Sequence, residues 1–264
     1  MTARRALLAL AGGLWAAPAF AAPPVNILRR VVDRGVIRVG VWLDAPPWGG
    51  FDAEGRPDGS EVAMARLLAA DIGLRLQLER LRPEDRMAAL LEDRCDVLAA
   101  ALPMLSSTLG RVAFSVPYGR VTTVFAAPAS LRLGTLGDLV GKRVAMSADT
   151  VAFDLAQARL PPGAIALFTR HLADTMEALR LGEADVAVTY DWQLRDMRLS
   201  RPELDLVPHL NVRSWSHGFA TRLGQPDLVR LLNVFLYLRG VDGSLADIHA
   251  RYFTEPPPEG LRFR

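Results

Sequence analysis

Apolar residues recur along this chain in two alternating rhythms. Residues 36–42 (VIRVGVW) form a nearly continuous apolar run and predict a buried strand. Pro46-Pro47 and the glycines between Gly49 and Gly59 then force a loop, since Pro fixes φ and Gly frees it. Residues 60–73 (SEVAMARLLAADIG) carry helical spacing, with Ser60 as a cap and Gly73 as the stop. Residues 74–81 alternate as a strand, and residues 83–94 open a helix with Pro83 and acidic residues in its first turn. Residues 95–102 (CDVLAAAL) read as the third strand, 112–118 as a turn into another, and 121–128 as an extended segment.

A second unit repeats the rhythm. Residues 135–147 give a short helix and a strand, 151–160 a helix, and 164–168 a strand. A helix, a turn at Gly182 and a strand follow by Asp191. The last stretch holds a strand, a long amphipathic helix, an Asp242-Gly243 turn and a final helix; the proline-rich residues 254–260 cannot continue it. Strands alternating with helices define an α/β protein with mainly parallel sheets.

The N-terminus reads differently. Arg4 and Arg5 precede an apolar run over residues 6–17, too short for a bilayer span, and Ala19-Phe20-Ala21 fits the small-x-small cleavage rule. This predicts a signal peptide cleaved after Ala21 and export to the periplasm, by the general or the twin-arginine route. Without it, 29 basic residues balance 29 acidic ones, which argues against nucleic acid as a partner. Cys95 is the single cysteine, so an intramolecular disulfide is excluded, and its place before a buried strand predicts a packed small hydrophobe. His171, His209, His217 and His249 are scattered, with no pair at the i,i+4 spacing of a helical metal site. No phosphate-binding glycine loop and no G-x-S-x-G elbow is present, so neither a cofactor nor a metal is expected.

The order of several segments resembles the bacterial extracellular solute-binding proteins of family 3, which include polar amino-acid receptors of ABC importers. The segments are RGVIRVGVWLDAPPW, DAEGRPDGSEVAMARLLAADIG, LLEDRCDVLAAAL, RVAFSVPY, LGDLVGKRVAMS, LGEADVAV, GFATRLGQPDLVRLLN and VDGSLADIHARYF. The resemblance implies a two-lobed, type II periplasmic-binding-protein-like fold with two hinge strands. Lobe one would comprise residues 25–122 and 218–254, lobe two residues 123–217, and 255–264 a tail. The hinge strands would lie near residues 120–127 and 213–220, and hinge closure on a solute would be the signal read by the importer.

The resemblance also implies where a ligand would sit. Amino-acid receptors of the family grip the ligand carboxylate with an arginine six residues before the Phe of their FS-x-PY segment. Here that position is Thr108; Arg111, three residues later, reaches the cleft only through a local shift and is otherwise solvent-exposed. Leu105, Ala100, Ala101 and Pro103 stand where the family keeps small polar residues. The family's ammonium-binding Asp corresponds to Tyr190, with Asp191 one residue late; Asp191 serves if the strand carries a bulge, and otherwise caps. Asp149 replaces a glycine ahead of Thr150, which can still donate a hydrogen bond. Trp48, Tyr190 and Trp192 would supply aromatic surface, while Trp215 packs at the hinge. The family's dehydratase branch needs a carboxylate where Gln193 stands, so no enzyme activity is expected.

Two functions follow. The first is a monomeric periplasmic receptor that delivers a small ligand, not a standard α-amino acid, to an ABC permease. The second is an accessory protein on the same fold that binds a periplasmic partner such as a quinoprotein dehydrogenase system.

Overall fold

The computed structural model of the protein describes residues 26–148 and 151–253. The expected signal segment, Thr150 and the tail lie outside the described residues. The chain opens with α1 (Ile27–Arg34), β1 (Val36–Val41), a small hairpin of β2 (Gly50–Phe51) and β3 (Pro57–Asp58), then α2 (Ser60–Asp71) and β4 (Arg75–Arg80). It continues through α3 (Arg86–Leu91), β5 (Val97–Leu98), α4 (Ser106–Leu109) and β6 (Val112–Phe114). A long strand β7 (Gly119–Pro128) leads to β8 (Arg143–Ser147), α5 (Val151–Gln157), β9 (Ile165–Thr169), α6 (Leu172–Arg180), β10 (Val186–Tyr190) and α7 (Asp191–Ser200). A second long strand, β11 (Leu206–His217), returns the chain to β12 (Ala220–Arg222), α8 (Pro226–Val241) and α9 (Ser244–Tyr252).

These strands form two five-stranded sheets, as the two-lobed expectation requires. The first runs β4-β1-β5-β12-β6 and the second β11-β7-β10-β8-β9. Within each, the strands joined by helices are parallel, while β12, β7 and β11 run antiparallel to their neighbours. Parallel strands bury both faces because crossover helices cover them. In the first sheet Ile37, Val39 and Val41 meet Leu68 of α2 and Leu232, Phe235 and Leu236 of α8 on one face. Leu98 and Cys95 meet Ala89 and Leu90 of α3 on the other. Gly40 permits that second layer, since a Cβ there would lie 2.6 Å from Leu81 and 2.7 Å from Leu98. Cys95 is packed as expected; its burial pushes the thiol up to about 12.

Three elements depart from the sequence pattern. The third strand shrinks to Val97–Leu98, because Ala101 adopts φ 49° and turns the chain out of the sheet. The helix expected over 83–94 begins as a 3-10 turn at Pro83–Asp85 and is helical only from Arg86 to Leu91. Ser60 is the first residue of α2 rather than its cap. The amides of Ser60 and Glu61 instead bond the carbonyls of Pro47 and Trp48, at 3.0 and 2.9 Å, so the preceding loop caps the helix.

Each sheet is fastened by the same device. Asp96, just before β5, is buried, and its Oδ2 accepts the backbone N–H of Arg38 on β1 at 2.9 Å. Its carboxylate also receives the guanidinium groups of Arg30, Arg34 and Arg38. Asp185, just before β10, accepts the backbone N–H of Arg143 on β8 at 2.8 Å and pairs with its guanidinium at 2.8 Å. Neighbouring Asp93 joins Arg30, Arg38 and Arg222. Burial alone would raise the Asp96 and Asp93 carboxyls, but the arginine hydrogen bonds outweigh it and hold both below the usual carboxylate range. A depressed carboxyl contributes stability above its unfolded value, near 4, that is lost as pH falls through the folded value. The chemical-denaturation free energy should therefore hold from pH 7 to about 5 and decline below pH 4. Asp96→Ala, which strands the arginines, should cost about 3 kcal/mol at pH 7.

Candidate functional site

The two sheets are joined by one two-stranded ribbon. In the first sheet β6 pairs with β12, from Val112↔Arg222 to Phe114↔Ala220; in the second, β7 pairs with β11 from Gly119↔His217 onward. Between them the ladder continues through Ser115 N–H to Phe219 O at 2.9 Å and Tyr118 N–H to His217 O at 3.1 Å. The Ser115 hydroxyl accepts the Phe219 N–H at 3.0 Å. The segment after β5 also docks here, with Met104 N–H on Ser216 O at 2.9 Å. Backbone and ring approach so closely that a Cβ on Gly119 would lie 2.1 Å from His217 Nε2.

Trp48 enters this crossover from the loop after β1. Gly49 makes the loop possible, because a Cβ on it would lie 2.0 Å from the Trp42 carbonyl oxygen. The indole is 7% exposed. It meets the His217 ring edge-on at 4.6 Å and Phe253 at 4.7 Å, and packs into the second-sheet cluster of Val121, Phe125 and Trp215. Trp48 is thus wedged between the sheets.

The second sheet contributes three rings at the end of β10. Tyr190 is buried, lies parallel to Trp192 at 6.0 Å, and meets Trp215 edge-on at 5.7 Å. The β10–β7 ladder runs without a break from Ala187 to Tyr190, so no bulge brings Asp191 onto the strand. Asp191 opens α7, and its carboxylate accepts the N–H groups of Thr122 at 3.1 Å and Trp192 at 2.9 Å. It ties α7 to the hinge strand. Gln193 accepts a hydrogen bond from the Thr189 hydroxyl at 2.5 Å.

Thr108 lies in α4 and Arg111 just after it. The Thr108 hydroxyl closes its own turn, accepting the Leu105 N–H at 3.0 Å and facing the carbonyls of Pro103 and Leu105 at 2.8 and 2.9 Å. The Arg111 side chain is exposed and has no hydrogen bond or ion pair among the described residues.

A different arginine, the first residue of α3, is buried. Arg86 is 9% exposed, and its guanidinium donates to Ala100 O at 2.7 Å and Pro83 O at 2.9 Å. It lies over the Trp42 ring at 5.6 Å. Among the described residues no carboxylate is within ion-pair distance of it. Burial lowers it to about 10; the largest opposing influence is the Tyr190 phenol, ahead of Glu84 and Glu61. The sequence pattern passes over Arg86 as a helix residue. Its one signal is misplacement, a cation in the first turn of a helix, where the dipole favours anions.

Two sheets joined by a two-stranded ribbon, with aromatic side chains gathered where they meet, define a hinged, two-lobed α/β binding protein. The chain belongs to the bacterial extracellular solute-binding proteins, family 3, whose family model matches residues 37–255. It is 23% identical over 234 residues to the L-cystine-binding protein TcyJ of Escherichia coli K12, covering 86% of each chain. It is 25% identical over 232 residues to a probable amino-acid ABC transporter-binding protein of Haemophilus influenzae, covering 86% of this chain and 88% of that one. A mutant of the arginine-binding protein ArgBP of T. maritima superposes with a TM-score of 0.73 at 25% identity, covering 87% of this chain and all of that one. The solute receptor for L-cysteine of Neisseria gonorrhoeae shares the fold, with a TM-score of 0.73 at 21% identity over 87% of this chain and 94% of that one. The family and these relatives are binding proteins.

The close approach at Gly119 yields a test of the crossover. Gly119→Ala forces the His217 ring or the ribbon aside and should cost about 3 kcal/mol by chemical denaturation, at the upper end of overpacking in a core.

Proposed function

We propose that this chain is a periplasmic receptor delivering a small anionic solute, not a standard α-amino acid, to an ABC importer by hinge closure. The signal peptide is removed after Ala21 and the mature protein acts as a monomer. Lobe one is residues 25–122 with 218–254, and lobe two is residues 123–217; the membership of the two sheets supports this division.

The observation that carries the ligand class is Arg86, a buried guanidinium with spare donors and no carboxylate partner among the described residues. A buried cation without an anion is costly, and a carboxylate or similar planar acid arriving in the cleft offsets that cost with paired hydrogen bonds. Tyr190, Trp192 and Trp48 offer aromatic surface to an apolar body. The usual amino-acid contacts are weak here: Thr108 spends its hydroxyl on its own turn, Arg111 points to solvent, and Asp191 holds backbone amides. Thr150 keeps its place as a hydrogen-bond donor from the second lobe, on the family resemblance alone.

The accessory-protein reading draws on one feature, the exposed apolar residues Val234, Tyr237, Leu238 and Val241 of α8. A thermal-shift screen over aromatic and aliphatic carboxylates, L-cystine and the standard amino acids separates the two, since a ligand that binds the native state raises its melting temperature. A carboxylate lacking an α-amino group should give the largest rise. Arg86→Met should weaken it by about 100-fold, the loss of a charged hydrogen-bonded pair, while Arg111→Ala and Thr108→Ala change it little. Stabilisation by ordinary amino acids that survives Arg86→Met overturns this ligand class. No response to any solute, with capture of a periplasmic protein, favours the accessory role.

A further inference from the structure

The crossover contains a buried acid–base pair that solute contact does not explain. Glu61 on α2 and His217 at the end of β11 are 1% and 0% exposed, with Glu61 Oε1 3.3 Å from His217 Nε2. The other Glu61 oxygen accepts a hydrogen bond from the Tyr118 hydroxyl. Burial, with the carboxylate beside it, holds that phenol well above its usual range, so it remains a donor. The imidazole is boxed in by Trp48 at 4.6 Å, Tyr118 at 5.4 Å and the backbone of Gly119; Nδ1, Nε2 and Glu61 Oε1 make no hydrogen bond among the described residues, so Nε2 and Oε1 meet at ion-pair distance only.

The charges around the pair are few. Arg86 of α3 acts on Glu61 only at longer range, outside ion-pair distance. His249 of α9 lies one ring further out, stacked on Phe253 at 4.7 Å. The Trp48 loop and the Pro103–Met104 segment bring no titratable group against the imidazole. A lone buried carboxylate is costly and so is a lone buried imidazolium. The two groups together are neutral only when they hold one proton between them.

We propose that Glu61 and His217 are positioning residues that share one proton at the crossover, and that this neutral pair fixes Trp48 and thereby the angle between the lobes. Trp48 is the link because the same indole meets His217 and lies in one apolar cluster with Phe125 and Trp215 of the second lobe. The idea rests on the hinged receptor reading, but its test needs no ligand.

Melting temperature and small-angle scattering of the ligand-free full chain are compared for wild type, Glu61→Gln, His217→Gln and the double variant. Each single variant leaves an unmatched group and should lower the melting temperature by about 8 °C and open the lobes. The double variant places two neutral amides together and should lose less than either single one, a non-additivity that a packing role does not produce. A double variant that folds where a single one does not supports the pair. Additive losses, unchanged scattering, or failure of all three variants to fold overturn it. If these results hold while no solute binds, the receptor reading fails alone.

Discussion

The structure depends on the ribbon of β6–β7 and β11–β12, whose hydrogen-bonded ladder passes from one sheet into the other. A β-ladder fixes the pairing of every residue along it, so the two lobes are connected in register yet remain free to twist where the pairing thins. That point lies between Phe114 and Gly119 on one strand and between His217 and Ala220 on the other. Trp48, Tyr118 and Glu61 gather there around His217, and Met104 and Ser115 crowd Gly218. Change at this junction reaches both lobes at once.

The same economy appears in how each lobe is fastened. Asp96 and Asp185 occupy equivalent places, each bridging the strand it precedes to the backbone N–H of a parallel neighbour. Both carboxylates are matched by arginine, and for the buried Asp96 this compensates the burial. Arg86 stands in contrast, held by carbonyls and an aromatic face with no acid beside it among the described residues. The buried Asp96 is paired with arginines, and the buried Arg86 has no acid within ion-pair distance among the described residues.

Much of the fold was legible in the sequence because parallel strands need apolar residues on both faces and helices between them. Val36–Val41, the glycine stops and the helices α2, α6 and α8 all follow from that periodicity. The expected strand over 95–102 was overstated because alanine runs carry no mark of the backbone turn at Ala101. The site was less legible. Arg111 is exposed, as expected without a local shift, and Thr108, at the family's arginine position, is consumed by its own turn.

Local chemistry in the sequence determined the alternation of strands and helices, the burial of Cys95 and the segment order that marks the family. It could do so because periodicity and turn residues act over a few positions. Only the tertiary structure decided that Arg86 is buried with no carboxylate partner among the described residues and that Glu61, 156 positions before His217, lies beside that imidazole. Burial and charge pairing are properties of the whole packing, and no local pattern carries them.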